Sequence, residues 1–333
     1  MKHVVAYRQL PPAVLALLRE HCCVDEVDIS SGGDLAPLRG ALASAHGIIG
    51  NNLKITPDLL NAAPLLEAAS TISAGFDAFD VPELSRRGIV LTNTPDEVTE
   101  TTADLVFSLI LATARRISEL ADWTRRGQWV RSVGEAQFGV DVHHKTLGIV
   151  GLGRIGSAVA KRAALGFGMD VIYSNRSRNH EAEQRYRAQW RPLPELLASA
   201  DFVCLLVPLS YATEGLIGSA ELGAMKPSAI LINCSRGQVV DEAALIEHLR
   251  ERRILGAGLD VFEREPLSPD SPLLQLPNVV AVPHIGSATR QTRENMAMRA
   301  ARNLIGALDG NLPSTCVNPE ALEARSSSRR LAG

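Results

Sequence analysis

The sequence is poor in aromatic residues and carries no large excess of either charge. Of its 333 residues, 4% are aromatic, and 37 acidic side chains face 34 lysines and arginines, for a formal net charge of −3. So balanced a chain has no basic footprint for a nucleic acid backbone, and no nucleic-acid partner is expected. No run approaches the roughly 18 apolar residues of a membrane span, so no membrane partner is expected either. The opening MKHVVAYRQLPP is interrupted by Arg8, Pro11 and Pro12 and lacks the pattern of a signal peptide. Cysteine is scarce and odd in number: of five, Cys22 and Cys23 are adjacent, and Cys204 and Cys234 lie inside apolar runs. Such spacing suits a reducing cytoplasm better than a disulfide framework. HExxH and CxxC patterns are missing, and the adjacent His143 and His144 would point apart on extended backbone, so no metal site is expected.

What the chain does have is apolar mass in a repeating order. Hydrophobic residues make up 46% of it, enough for a sizeable core, and the length predicts about two domains. Short Val/Ile/Leu-rich runs read as strands at Val4–Tyr7, Val24–Ile29, Gly47–Gly50, Glu67–Ser73 and Ile89–Thr94, with helical segments between them. A long helix is predicted over Thr99–Leu120, with Thr99 or Thr101 as its cap, followed by an irregular stretch from Trp123 to His144. The alternation then restarts at Leu147–Gly151, Asp170–Asn175, Phe202–Pro208, Ala229–Ser235, Leu255–Val261 and Val279–Pro283, and a last helix is predicted over Ser287–Asp309. Strands alternating with helices argue for parallel sheets covered on both faces.

The string Gly151-Leu-Gly153-Arg-Ile-Gly156 directly follows a strand and opens a helix, which is the context a dinucleotide site requires. The first glycine permits the tight turn, the second lets backbone approach a pyrophosphate, and the third packs helix on strand. A NAD site would place an acidic residue some 20 positions on, at the end of the next strand. Here that position reads Asn175-Arg176-Ser177-Arg178. A neutral Asn175 beside Arg176 or Arg178 suits a ribose 2′-phosphate, so NADPH is expected to be preferred, with NADH as the second candidate.

Three later strands end in polar residues: Arg236 after AILINCS, Asp260 and Glu265 in LDVFEREP, and His284 in VPHIGS. Ligands bind beyond the carboxyl ends of such strands, so these side chains can converge. Reduction of a 2-oxo acid needs a cation for the carboxylate and a proton donor for the developing alkoxide. Arg236 suits the first role and His284 the second, with Glu265 orienting the imidazole and raising its pKa. Singly, a loop histidine, a surface carboxylate and a capping arginine are ordinary features. Their coincidence behind a dinucleotide turn favours a site.

The blocks GIVGLGRIG, INCSRGQVVDEAAL, GAGLDVFEREP and VPHIGSAT, with STISAGFDAFD and TPDEVTETTADL upstream, resemble the D-isomer-specific 2-hydroxyacid dehydrogenases over nearly the whole chain. Within that family the chain is most similar to bacterial glyoxylate/hydroxypyruvate reductases that also act on 2-ketogluconate. The resemblance implies an α/β fold of two doubly wound parallel-sheet domains, a Rossmann nucleotide domain inserted into a flavodoxin-like substrate domain. It implies a discontinuous substrate domain at 1–99 and 285–318, an NAD(P) domain at 100–284 with a dimer arm near 121–146, and a disordered tail at 319–333. Arg236, Glu265 and His284 match the family's catalytic residues. Cofactor contacts are implied for Thr102, Gly151, Gly153, Arg154, Ile155, Gly156, Asn175, Arg176, Ser177, Val207, Pro208, Thr213, Cys234, Ser235, Asp260 and Gly286, with Asp260 near the nicotinamide amide. Substrate contacts are implied for Asn52, Leu53 and the backbone amides of Ala74 and Gly75, with Asn51 in the same loop. A homodimer is expected, although Gln137 and Phe138 stand where relatives carry a Trp that reaches the neighbouring cleft. Other D-2-hydroxyacid or phosphite dehydrogenase specificities, and a dinucleotide-sensing corepressor, remain alternatives. Glu265, where formate dehydrogenases have Gln, argues against formate.

Overall fold

The computed structural model of the protein describes residues 1–29 and 34–322. Its chain divides into two compact units, residues 1–98 with 289–333 and residues 99–288. The first cut falls one residue before the expected boundary and the second four residues after it.

The first unit is built on five parallel strands, β1 (Lys2–Ala6), β2 (Cys22–Glu26), β3 (Gly47–Gly50), β4 (Ala68–Thr71) and β5 (Val90–Thr92), in the order β2-β1-β3-β4-β5. Successive side chains of a strand point to opposite faces, and two cores follow from that alternation. Val4, Ala6, Ile49, Ala68 and Val90 face the helix Arg290–Leu308 through Ala297, Ala300, Ala301, Leu304 and Ala307. Val5, Tyr7, Ile48, Ala69 and Leu91 face Leu38, Leu42, Leu59, Leu60 and Leu84 on the other side.

The second unit holds seven parallel strands: β6 (Thr146–Val150), β7 (Asp170–Ser174), β8 (Gln189–Trp190), β9 (Phe202–Leu205), β10 (Ile230–Asn233), β11 (Gly256–Leu259) and β12 (Val279–Ala281). Their order is β12-β11-β10-β9-β6-β7-β8. Ile149, Tyr173, Cys204 and Ile232 pack toward the helices Thr99–Ala114 and Arg154–Phe167. Val150, Ile172, Leu205 and Leu231 pack toward Leu196, Leu222 and Leu245 on the opposite face. The connections reverse direction at β6, between β7 and β9, which opens a crevice beyond the carboxyl ends of these strands.

Four expectations change. The helix predicted over Thr99–Leu120 is two helices, Thr99–Ala114 and Ile117–Arg125, with Thr99 already inside the first and Arg116 between them at φ 53°. The apolar period runs through this break, but the Arg116 side chain decides the geometry. Its guanidinium clasps Glu119 at 2.7 and 2.8 Å, and Nη1 donates 2.6 Å to the Ala136 carbonyl of the following irregular segment. Second, the short strand β8 has no counterpart in the apolar runs; two residues carry too little pattern. Third, every strand with such a run, except β3, ends one to three residues before the run does, because the final residues turn into loops. Fourth, the start of the tail expected from 319 is ordered. Asn318 and Ala321 are completely buried, and the part of that tail at 323–333 lies outside the described residues.

Asn318 closes the exposed side of β5. Its Oδ1 accepts the Leu91 amide at 2.7 Å, and Nδ2 donates 2.9 Å to the Ile89 carbonyl and 3.1 Å to Ser85 Oγ. Next to it, Val317 donates to the Leu91 carbonyl, and Thr92 pairs antiparallel with Cys316. The segment thereby covers an edge that would otherwise offer free backbone groups. Asn318→Ala removes the side-chain partners of the Leu91 amide and the Ile89 carbonyl, and chemical denaturation of the variant is expected to show a loss of about 2–4 kcal/mol. A loss of only a few tenths would contradict this role.

Candidate active site

The Gly-rich turn sits where β6 ends. Gly151 has φ +102°, and a Cβ there would lie 2.7 Å from the Leu206 carbonyl just past the end of β9. At Gly156 a Cβ would meet the Gly151 carbonyl oxygen at 2.5 Å, so this glycine lets the helix press against the turn. Gly153 is different, since a Cβ there meets nothing within 4 Å. Two glycines are therefore required by packing, while the third leaves open space at the N-terminus of the helix Arg154–Phe167. That arrangement fits a pyrophosphate approaching backbone amides and the positive helix end. Arg154 and Ile155 form the first turn of this helix.

The loop after β7 is tied to the same turn. Asn175 Oδ1 accepts the Leu152 amide at 2.7 Å, so the residue at the expected ribose position holds the Gly-rich loop. Arg176 and Ser177 are exposed, and Arg176 has no hydrogen-bond or ion-pair partner among the described residues. Arg178 is instead bound to Glu183 through Nε and Nη2, both at 2.8 Å. Of the two arginines offered by the sequence, packing commits one and leaves the other. Beyond the end of β9, Val207 and Pro208 lead into a turn that Thr213 closes, its hydroxyl donating 2.6 Å to the Pro208 carbonyl.

Three loops bring the polar residues together. After β10, buried Asn233 accepts the Ser235 amide and hydroxyl on Oδ1 and donates from Nδ2 to the Arg236 carbonyl at 3.1 Å, which sets the shape of the loop. Gly237 follows, and a Cβ there would fall 1.8 Å from the carbonyl carbon of Phe262. This contact presses the Arg236 loop onto the one carrying Glu265. Sequence reasoning misses both Asn233 and Gly237; the only signal is their position flanking Arg236.

His284 Nδ1 lies 2.6 Å from Glu265 Oε2, and Phe262 donates its amide to Glu265 Oε1 at 3.1 Å. The Glu265 hydrogen bond raises the His284 pKa above its ordinary value, against burial and the Arg236 charge. Burial pushes the Glu265 carboxyl up, but the His284 and Phe262 hydrogen bonds and the nearby charges of His284 and Arg236 outweigh it, leaving its pKa lowered. With Nδ1 engaged by the carboxylate, Nε2 is the nitrogen left to face a substrate. The imidazole can give up and recover a proton there.

Asp260 is 2% exposed and holds the turn that carries His284. Its Oδ1 accepts the Ile285 amide at 2.6 Å, Oδ2 accepts the Gly286 amide at 3.0 Å, and its carbonyl accepts the His284 amide at 2.9 Å. His284 itself has φ 52°, a left-handed conformation costing a non-glycine residue about 1 kcal/mol or more, so the turn must be held from outside. Burial raises the Asp260 pKa, opposed by those amides and by the His284 charge. Thr102 donates to the Gly286 carbonyl at 3.0 Å and fixes the same turn. Cys234 is half-buried, and burial raises its thiol pKa well above the ordinary value, so it is no thiolate nucleophile.

In the other unit, Asn52 (φ 55°) and Leu53 follow β3, next to Asn51, whose carbonyl accepts Arg8 Nε at 3.1 Å. After β4, the loop of Ser73 to Phe76 has its carbonyls satisfied: Ser73 by the Thr94 amide, Ala74 by Asn93 Nδ2 at 2.7 Å, Gly75 by Ser73 Oγ at 2.5 Å, and Phe76 by the Phe79 amide at 3.0 Å. The Ala74 and Gly75 amides have no acceptor among the described residues. Such a loop presents donors only, as an anion receptor requires.

Comparison with known proteins agrees with this chemistry. Residues 107–286 match the family model of the D-isomer specific 2-hydroxyacid dehydrogenase, NAD binding domain. The chain is 51% identical to glyoxylate/hydroxypyruvate reductase B of Klebsiella pneumoniae over 95% of this chain and 98% of that one. Among solved structures, the TT0316 protein of Thermus thermophilus superposes with a TM-score of 0.86 at 42% identity, covering 95% of this chain and 99% of that one. An NADPH-dependent glyoxylate/hydroxypyruvate reductase of Sinorhizobium meliloti, in complex with NADP and malonate, gives a TM-score of 0.84 at 33% identity over 96% and 98%. With an NAD(P)-binding unit, a histidine–carboxylate pair and an arginine at three adjacent strand ends, the chain belongs to the D-isomer-specific 2-hydroxyacid dehydrogenase family.

Proposed function

We propose that the protein reduces glyoxylate and hydroxypyruvate, and related 2-oxo acids such as 2-ketogluconate, to D-2-hydroxy acids, with NADPH preferred to NADH. The observation that carries this reading is the 2.6 Å contact of His284 with Glu265, within reach of the Arg236 charge. The name of the Klebsiella relative supports the first two substrates, and the Sinorhizobium complex supports the cofactor.

Arg236 binds the substrate carboxylate through its planar guanidinium, which matches a carboxylate at two points. The donor-only loop at Ala74 and Gly75 offers a second anion-binding element. When bound, the nicotinamide supplies a hydride to the carbonyl carbon. His284 Nε2 donates a proton to the oxygen on which negative charge develops, and Glu265 stabilises the imidazolium before that transfer. In the oxidative direction the neutral imidazole takes the proton back. Asp260 and Thr102 keep the ring in place by fixing the turn that carries it.

The exposed apolar side chains Ile117, Trp129, Val130, Val133 and Phe138 support a homodimer formed through the segment around 117–138. Five free cysteines support a cytoplasmic location.

The assignment is tested by following NADPH and NADH oxidation with glyoxylate, hydroxypyruvate, 2-ketogluconate, pyruvate and 3-phosphohydroxypyruvate. Turnover of the first two above the rest is expected, and inactivity toward both overturns the reading. His284→Ala should lower kcat by about 10² to 10⁴ while leaving NADPH affinity nearly intact in a fluorescence titration. Reduction needs the protonated ring, so its rate falls as pH rises through the raised His284 pKa, above the usual value of about 6.5. Glu265→Gln removes the main cause of that elevation and should move the falling limb to lower pH; an unmoved limb contradicts the pairing. Arg176→Ala should reduce kcat/KM for NADPH by about ten-fold, the scale of a charge-assisted phosphate contact, with a much smaller change for NADH. Equal losses with both cofactors would remove Arg176 from phosphate recognition.

A further inference from the structure

The loop between β7 and the helix His180–Tyr186 contains two arginines, and they differ in what holds them. Arg178 forms a two-pronged pair with Glu183, whose Oε1 also accepts the Tyr173 hydroxyl at 2.5 Å. The Tyr173 oxygen in turn accepts the Asn179 amide at 2.8 Å, and Asn179 Nδ2 donates 2.9 Å to the Leu152 carbonyl of the Gly-rich turn. Trp190 Nε1 secures the near end of the loop through the Asn175 carbonyl at 3.1 Å. The carboxylate of Glu183 thus sits at the centre of a chain of contacts running from Arg178 back to the pyrophosphate turn.

Hydrogen bonds from Arg178 and Tyr173 pull the Glu183 pKa down to about 2, so it carries its charge at any working pH. Its side chain is 16% exposed, against 59% for Arg178. His180 Nδ1 lies 3.4 Å from the same carboxylate. Most isolated surface ion pairs contribute little, but a bidentate pair with a further hydrogen-bonded partner has defined geometry.

We propose that Glu183 is a specificity-determining positioning residue: it withholds Arg178 from the 2′-phosphate of NADPH, so that Arg176 alone carries the discrimination between NADPH and NADH. This rests on the reading that the chain prefers NADPH. The two donor groups of Arg178 that match a phosphate edge are already engaged by a carboxylate. The adjacent negative charge of Glu183 also cancels most of the field that Arg178 would contribute to an incoming dianion. Of the two arginines, Arg176 is the one that presents an uncompensated charge. Glu183 therefore sets an upper limit on cofactor discrimination while it secures the loop.

The measurement is the ratio of kcat/KM for NADPH to that for NADH, with glyoxylate as substrate, in wild type, Glu183→Gln, Arg178→Ala and the double variant. In Glu183→Gln the ratio should rise about five-fold, because one negative charge is removed and one guanidinium is released. Arg178→Ala leaves Glu183 uncompensated, and its ratio should fall below that of wild type. The double variant loses both charges and should return to within about two-fold of wild type, the tolerance of a cancelled exposed pair. Parallel losses with both cofactors in Glu183→Gln, at an unchanged ratio, would make Glu183 a purely structural residue and overturn the proposal. A double variant as low as Arg178→Ala would overturn it too, by showing that Arg178 touches the phosphate directly. Should Glu183→Gln not fold, Arg178→Ala still decides, because a ratio at or above that of wild type would overturn the proposal. A wild-type ratio at or below one would defeat NADPH preference itself, whereas the direction of change among the variants would still report on Glu183.

Discussion

Asp260 commits both carboxylate oxygens to the amides of Ile285 and Gly286, and the chemistry of the nucleotide-binding unit depends on that commitment. A left-handed histidine cannot hold its own turn. Both amide contacts end on a buried carboxylate, and together they outweigh a strain of about 1–3 kcal/mol. Once the turn is fixed, His284 Nδ1 meets Glu265 and Nε2 is turned away from it. The remaining supports act on the other side of the same pair. Gly237 permits backbone contact with Phe262 and Glu263, and Phe262 returns an amide to Glu265. His284 is thus positioned by the carboxylates of Asp260 and Glu265 and by backbone groups of three loops.

The three loops proposed to meet anions present donors on three unrelated backbones. Around Ser73 to Phe76 the carbonyl oxygens are tied back internally, which leaves the amides of Ala74 and Gly75 as donors. At Gly153 the first turn of a helix supplies donors beside open space. At Arg236 a guanidinium on a loop fixed by Asn233 carries formal charge. Around Ser73 to Phe76 the acceptors are already occupied, so an anion arriving there meets donors only. The loop after β7 departs from this design through the carboxylate of Glu183, at the place proposed for the one anion that distinguishes two otherwise identical cofactors.

Much of this was legible from residue order. Buried parallel strands make continuous apolar runs, and those runs located all strands but β8. The Gly-rich string was readable because a strand preceded it and a helix followed. Arg236, Glu265 and His284 were recognisable because reduction of an oxo acid calls for those side chains. The parts that escaped depend on long-range contact. Nothing local announces that Arg116 will leave the helix to clasp Glu119 and the Ala136 carbonyl. Gly237 looks like any turn glycine until Phe262 is placed against it. Arg176 and Arg178 are equivalent in a sequence motif and become different only when the helix His180–Tyr186 presents Glu183 to one of them.

The strip at Thr315–Asn318 that covers β5 also bears on the order in which the protein can assemble during synthesis. All strands of the nucleotide-binding unit have been made by residue 281. The other unit has its five strands by residue 92 but must wait for the helix Arg290–Leu308 and for Asn318, with Ser70 bonding Ala300 across 230 positions. Its apolar sheet face is complete early and remains without its cover for about 200 residues of elongation, some 10–40 s at ordinary translation rates. The unit begun first on the ribosome is therefore the one finished last.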